Sequence, residues 1–294
     1  MVRRIVISAI LFCLFPQAQV FAQDERLIPS YSEDSGFIRN YPGIDLDVHP
    51  YLCTWKDSPV AIGHGGFAEQ AIFTPGDPVD PPRKGALLKY LRAYNHGFLY
   101  GGETTETVKH DNEQVIFFVM NGYGRVEAGD KSAEIGEGSG VFIPAGLTYR
   151  FAATSGVALE VIIIVEGTPP GFKPAREMVV KNYHDSQKGF CCWAYTIQSL
   201  FSRNDGLAEP MGISVVTVEN YGMGSPHFHV EGCEEIWLKI RGEQSPCMLG
   251  KSLLRQNIGD AFLPPPNGLV PHAVINPTER PMSWLYLGNR HDKE

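Results

Sequence analysis

Two stretches of this chain, about 120 residues apart, follow one plan. The first is Glu113-Gln114-Val115-Ile116-Phe117-Phe118-Val119-Met120-Asn121-Gly122, an apolar strand closed by a glycine turn. Gly138-Ser139-Gly140-Val141-Phe142-Ile143-Pro144-Ala145-Gly146 follows it. The second is Glu235-Ile236-Trp237-Leu238-Lys239-Ile240-Arg241-Gly242, then Gly259-Asp260-Ala261-Phe262-Leu263-Pro264-Pro265-Pro266-Asn267-Gly268. A repeat of this size, built of strands and turns, predicts two similar β-domains in tandem. The 31 glycines and 22 prolines supply the turns and favour β-structure over helix bundles. Leu87 to Tyr94, His96 to Tyr100, Val157 to Val165, Gly212 to Asn220 and Met282 to Leu287 read as further strands. Ala194 to Phe201 fits either a helix or a connecting strand, and Gly63-His64-Gly65-Gly66 reads as a turn.

The ends and the joint follow from composition. Arg3 and Arg4 precede an apolar run from Ile5 to Phe15, and Val20-Phe21-Ala22 suits a signal peptidase. Residues 1–22 therefore read as a secretory signal peptide, and the mature chain is expected in the periplasm or secreted. The run is too short to span a bilayer and no later stretch is apolar for long enough, so no membrane partner is expected. Net charge is −8 and no Lys/Arg block could track a phosphate backbone, which argues against nucleic acid. Residues 23 to about 40 form a polar arm. Gly167-Thr168-Pro169-Pro170-Gly171-Phe172-Lys173-Pro174 reads as a linker, dividing the chain into 23–172 and 173–294. After cleavage Cys53, Cys191, Cys192, Cys233 and Cys247 remain, an odd number that leaves a thiol unpaired. Adjacent Cys191 and Cys192 are not expected to join each other.

Chemistry concentrates in Pro226-His227-Phe228-His229-Val230-Glu231-Gly232-Cys233-Glu234-Glu235, answered by His272. On a strand, His227 and His229 face one cavity; on a helix they would diverge by about 200 degrees. With Glu235 and His272 they offer three imidazoles and one carboxylate to a divalent metal. Glu234 competes with Glu235 for that role, and Glu231 reads as a rim charge. Cys233 reads as a small buried side chain. Such a set leaves two positions open on an octahedral ion and suits Mn, Fe or Ni, with Zn or Cu also accommodated. If Glu235 faces inward, so do Trp237 and Lys239, giving the metal an aromatic wall and a cation. These are the catalytic candidates, against the alternatives of core packing for Trp237 and a solvated strand end for Lys239. Ile236, Leu238 and Ile240 then face outward. In the first repeat the same counting turns Val115, Phe117 and Val119 inward, predicting an apolar interior.

The spacing resembles that of two-domain cupins. The first motif of that family is His-x-His, three or four residues, Glu, six residues, Gly. His227, His229, Glu235 and Gly242 reproduce it with one extra residue before Glu235. The second motif is matched by Gly259, Pro265, Gly268, His272 and Asn276, with small insertions around Pro266-Asn267. In the first half the corresponding positions fall on Val108, His110, Val115 and Tyr149, so that barrel is expected to be metal-free. The resemblance implies an all-β fold of two cupin barrels in tandem, packed through their apolar outer faces. It also implies a metal-dependent enzyme acting on a small chelating molecule: a hydroxy or keto acid, a uronate or sugar, or a catechol-like compound. Dioxygenase chemistry, or isomerisation, elimination or hydrolysis at the metal, would fit. Oxalate decarboxylase is disfavoured because such bicupins carry metal motifs in both barrels, whereas gentisate-type dioxygenases and ureidoglycine aminohydrolase work with one. The alternative is a non-catalytic periplasmic protein that binds metal or sugar. The arm before Tyr41 could reach a second subunit, a habit of the family, so a homodimer is compatible with the sequence.

Overall fold

The computed structural model describes residues 46–209, 211–229 and 231–289; the expected signal peptide and the polar arm lie outside the described residues. Strands joined by turns make up the described chain, with single 3-10 turns at His49–Tyr51, Trp55–Asp57, Tyr183–Asp185 and Arg203–Asp205. The ambiguous segment is a strand, Tyr195–Phe201, whose neighbour Met211–Val218 supplies backbone partners along most of its length. The run from Leu87 is two strands, Ala86–Leu88 and Leu91–Leu99, not one.

Each repeat builds one large sheet and a three-stranded companion. In the first, the order is Val179–Asn182, Ser139–Ile143, Glu113–Asn121, Leu159–Gly167, Leu91–Leu99, Phe67–Pro75, Ala61–Gly63. In the second it is Leu52–Thr54, Asp260–Phe262, Glu234–Arg241, Met282–Asn289, Met211–Val218, Tyr195–Phe201, Lys188–Cys191. The two orders correspond strand for strand. Gly122 and Gly242 close equivalent strands at φ of 87° and 101°, a left-handed turn that favours glycine.

The partition is not linear, which corrects the boundary expected at 172/173. Val179–Asn182, beyond that boundary, pairs with Ser139–Phe142 of the first sheet. Leu52–Thr54, the first described strand, pairs with Asp260–Phe262 of the second. The linker composition marks an exposed turn; the strand after it finds the free edge of the sheet it has just left. Each half thus lends its leading strand to the other.

Period-2 alternation sorts the core. Val115, Phe117 and Val119 pack with Val126, Val141 and Phe151 inside the first barrel. Their alternates Ile116 and Phe118 join Phe142, Leu200, Phe201, Ile213, Ile236 and Leu238 in a cluster that runs between the sheets, with Ile240 packed against it. Burying each such side chain contributes about 1.5–3 kcal/mol, so the shared layer ties the halves together. Gly140 lets them meet: a Cβ there would lie 2.5 Å from Leu200 Cδ2 and 2.7 Å from Phe201 Cε2. Both neighbours are buried and cannot yield outward. Gly140→Val is expected to destabilise the protein by about 1–3 kcal/mol, read as a lower urea midpoint with one unfolding transition.

Candidate metal centre

Residues 227 and 272 lie opposite each other in an isolated antiparallel bridge, the His272 N–H donating to the His227 carbonyl at 2.9 Å. His229, two residues on, brings its ring to the same point. Glu235, second residue of Glu234–Arg241, turns its carboxylate toward the imidazoles. Ligand atoms of His227, His229, Glu235 and His272 all lie within 4.8 Å of one another. Glu234, one residue earlier, faces the other way: its Oε2 accepts from the Lys89 and Tyr90 backbone N–H groups at 2.6 and 3.4 Å. The carboxylate that meets the imidazoles is therefore Glu235. Glu231 is exposed, and Cys233 is buried outside the cluster.

The donor set fits a metal. Glu235 Oε2 lies 3.1 Å from His229 Nε2 and 3.0 Å from His272 Nε2. These distances suit hydrogen bonds, yet the angles make none, and both Nε2 atoms and both carboxylate oxygens are buried without a hydrogen-bond partner. Four orphaned polar atoms converging on one point is a costly arrangement unless something fills it. Both carboxylate-to-imidazole spacings are short enough for the pair to share one ion.

Protonation agrees. The Ser225 carbonyl can only accept, so His227 Nδ1, 2.8 Å from it, carries the proton and leaves Nε2 as the donor to a metal. Burial, together with nearby His272, holds His227 below the ordinary histidine range and keeps it neutral. Burial pushes the Glu235 carboxyl up, but His272 and His229 outweigh it and hold it well below the usual carboxylate range.

Beside the cluster is a cavity of about 250 Å³, walled by Cys191, Cys192, Tyr195, Ile197, Ser214, Val216, Trp237 and Tyr286, with His227, His229 and Glu235 at one side. Trp237 lies in this wall, 6.2 Å from the His272 ring, edge-on to Tyr286 and parallel to Phe262. Its Nε1 is buried with no acceptor, a donor left free for a bound molecule. Tyr195 is tied to the metal side, its hydroxyl oxygen accepting from Val274 N at 3.1 Å.

Lys239 does not join this wall, which corrects the expected cation. Its ammonium is sealed within the barrel against Ser245 Oγ, Met282 Sδ at 3.2 Å and the Trp284 ring at 4.8 Å. Two residues beyond Trp237 it faces the same interior, but the Glu234–Arg241 strand carries it past the cavity toward the strand's far end. Alternation gives the face and not the depth.

The first barrel repeats the frame without the donors. Val108 bridges Tyr149 as His227 bridges His272, and Val115 holds the Glu235 position. His110 Nε2 lies 3.2 Å from the Tyr149 hydroxyl. The interior is apolar through its depth but not at its open end, a second correction. There His64 Nδ1 meets Glu69 at 2.6 Å, with Asn95 on the other carboxylate oxygen at 2.9 Å. The signal was Gly63-His64-Gly65-Gly66, where a Cβ at Gly65 would lie 2.6 Å from the Glu106 carbonyl oxygen. The strand Tyr195–Phe201 and the thiols before it were also missed as cavity wall, because no ligand motif marks them.

A model of the cupin domain matches residues 98–165, which lie in the barrel lacking the donors. An uncharacterized protein of Streptomyces coelicolor is 26% identical over 89 residues, covering 29% of this chain and 82% of that one. Among solved structures, a putative glyoxylate-induced protein from Pseudomonas aeruginosa superposes with a TM-score of 0.63 at 15% identity, covering 88% of this chain and 94% of that one. Bacillus subtilis oxalate decarboxylase gives 0.61 at 16% identity, covering 81% and 76%. The formate complex of Lactobacillus farciminis oxalate decarboxylase gives 0.60 at 14%, covering 87% of each chain. At these identities the likeness is one of fold.

Proposed function

Because the chain is a two-barrel protein of the cupin superfamily, we propose that its C-terminal barrel is a mononuclear metal enzyme for a small catechol-like or enolic chelator. His227, His229, Glu235 and His272 would hold the ion, Mn, Fe or Ni by donor type. The metal would act as a Lewis acid and, if redox-active, as a site for dioxygen. The observation that carries the substrate class is the wall: among the lining residues there is no Lys or Arg, while Trp237, Tyr286, Ile197 and Val216 present apolar surface. The metal would answer one anionic group, but the second carboxylate of a dicarboxylate would meet no cation in this wall.

The wall also limits the mechanism. Burial pushes the Tyr195 phenol well above its usual range, so it stays protonated and can donate but not abstract. Among the lining residues outside the donor set there is no His, Asp, Glu or Lys to serve as a base, which favours chemistry centred on the metal over isomerisation by a protein base. The oxalate decarboxylase neighbours support a metal-dependent cupin enzyme in general and not that substrate. The missing base also favours, as second reading, a binding protein without turnover.

Metal-loaded protein incubated with catechols, hydroxy acids, uronates and keto-sugars, with and without oxygen, tests this. Catechol turnover is expected; tighter binding of a dicarboxylate than of a catechol overturns the substrate class, and binding without conversion of any compound supports the second reading. Trp237→Phe, removing the free N–H while keeping an aromatic wall, is expected to weaken ligand binding about five- to tenfold, measured by calorimetry.

A further inference from the structure

We propose that Cys191 and Cys192 are a modification site: the adjacent thiols close into an intramolecular disulfide in the cavity wall by exchange with a small disulfide oxidant. Their Sγ atoms stand 3.0 Å apart, about one ångström longer than a covalent S–S bond. Neighbouring Cα atoms are about 3.8 Å apart, shorter than the usual span of a disulfide, so an ordinary backbone keeps adjacent thiols from joining. That is why the sequence argued against it. The backbone here is not ordinary. Cys192 and Trp193 both take left-handed conformations, at φ of 49° and 69°, which non-glycine residues rarely adopt. The turn is held by the Cys192 carbonyl, which accepts from Ala194 N at 3.1 Å and Ser225 N at 2.9 Å, and by the Trp193–Gly224 bridge.

Two other roles fit less well. No cysteine joins the imidazole cluster, so the pair is not part of the donor set among the described residues. Burial, then the neighbouring Cys192, pushes the Cys191 thiol up to about 12, which argues against a standing thiolate nucleophile. The exchange balances without an outside electron carrier. Cys192, deprotonating as it attacks the oxidant's disulfide, forms a mixed disulfide and releases one thiol, which leaves Cys191 as the resolving thiol. The second cysteine then displaces the other thiol, so two hydrogens leave the protein and two reduced thiols appear. The product fixes the turn that carries the cavity wall.

The full-length protein, metal-loaded, is incubated with oxidised glutathione, denatured, alkylated and digested. The peptide containing Phe190 to Trp193 is expected to weigh less by two hydrogen atoms and to take no alkyl group, with two groups restored after dithiothreitol. Buried Cys53, Cys233 and Cys247 serve as internal controls, each taking one group. In Cys191→Ser the loss of two hydrogens should vanish. Two alkyl groups on the oxidant-treated peptide, a lasting glutathione adduct, or a link to any other cysteine overturns the proposal.

Discussion

Replacing His272 with alanine is expected to empty the second barrel of its metal, weakening binding by more than about 100-fold. Loss of a supporting hydrogen bond to a metal ligand already weakens binding by about 10–100-fold, and this change removes a donor outright. It also leaves Glu235, buried and ionised, short of one of the two imidazoles that hold it. Glu235→Gln keeps the shape but removes the charge and should weaken binding by a similar order. Tyr149→Phe, at the matching place in the first barrel, should leave metal content unchanged. Metal analysis after dialysis against a weak chelator reads all three. Thermal melts add a second reading, since a metal at 100 times its dissociation constant stabilises the fold by about 2.7 kcal/mol, a shift that His272→Ala should lose. Unchanged metal content in His272→Ala would refute the assignment of the centre.

Lys239→Met is expected to stabilise the protein at pH 7 by about 1–3 kcal/mol while leaving metal content and ligand binding intact. Burial lowers Lys239 to about 8 from its ordinary 10.5, with a hydroxyl, a thioether and an aromatic face against it and the Cys247 thiol nearby. The sign follows from proton counting. Between pH 8 and 10.5 the unfolded chain keeps a proton on this lysine that the folded one has released, so the Lys239 contribution to stability rises with pH across that window. Below pH 8 both states are protonated and the folded state bears the full cost of the buried cation, about 3 kcal/mol before the lost Ser245 contact is counted. The advantage of the methionine variant, from urea unfolding at pH 7 and pH 10, should therefore shrink at the higher pH. An equal difference at both values, or loss of ligand binding, would return Lys239 to the functional site.

The amino-acid pattern made the fold legible because strand alternation and glycine turns are local signals, and both repeats carry them. His227 and His229 were legible for the same reason, since their i, i+2 spacing is a strand property, while His272 was placed by the second motif of the cupin resemblance. Choosing Glu235 over Glu234 needed the opposite faces that the two take, one toward imidazoles and the other toward the Lys89 and Tyr90 amides. Lys239 was misplaced because depth along a barrel depends on closure, which no short window encodes. The wall strand Tyr195–Phe201 carries no motif and enters the site only through pairing with Met211–Val218. The exchanged leading strands were invisible because Leu52–Thr54 and its partner lie about 200 residues apart, where alternation says nothing about pairing.

That exchange sets an order of events during synthesis. The strand Leu52–Thr54 leaves the ribosome early, yet the edge it must occupy, Asp260–Phe262, is made almost last. The first barrel, by contrast, acquires its borrowed edge at Val179–Asn182, soon after its own strands are complete. The nascent chain therefore holds a finished first barrel with an unpaired strand trailing from it while the metal-binding half emerges. A ribosome stalled before residue 260 would leave that strand exposed, and an open edge of this kind is where two unfinished chains would join.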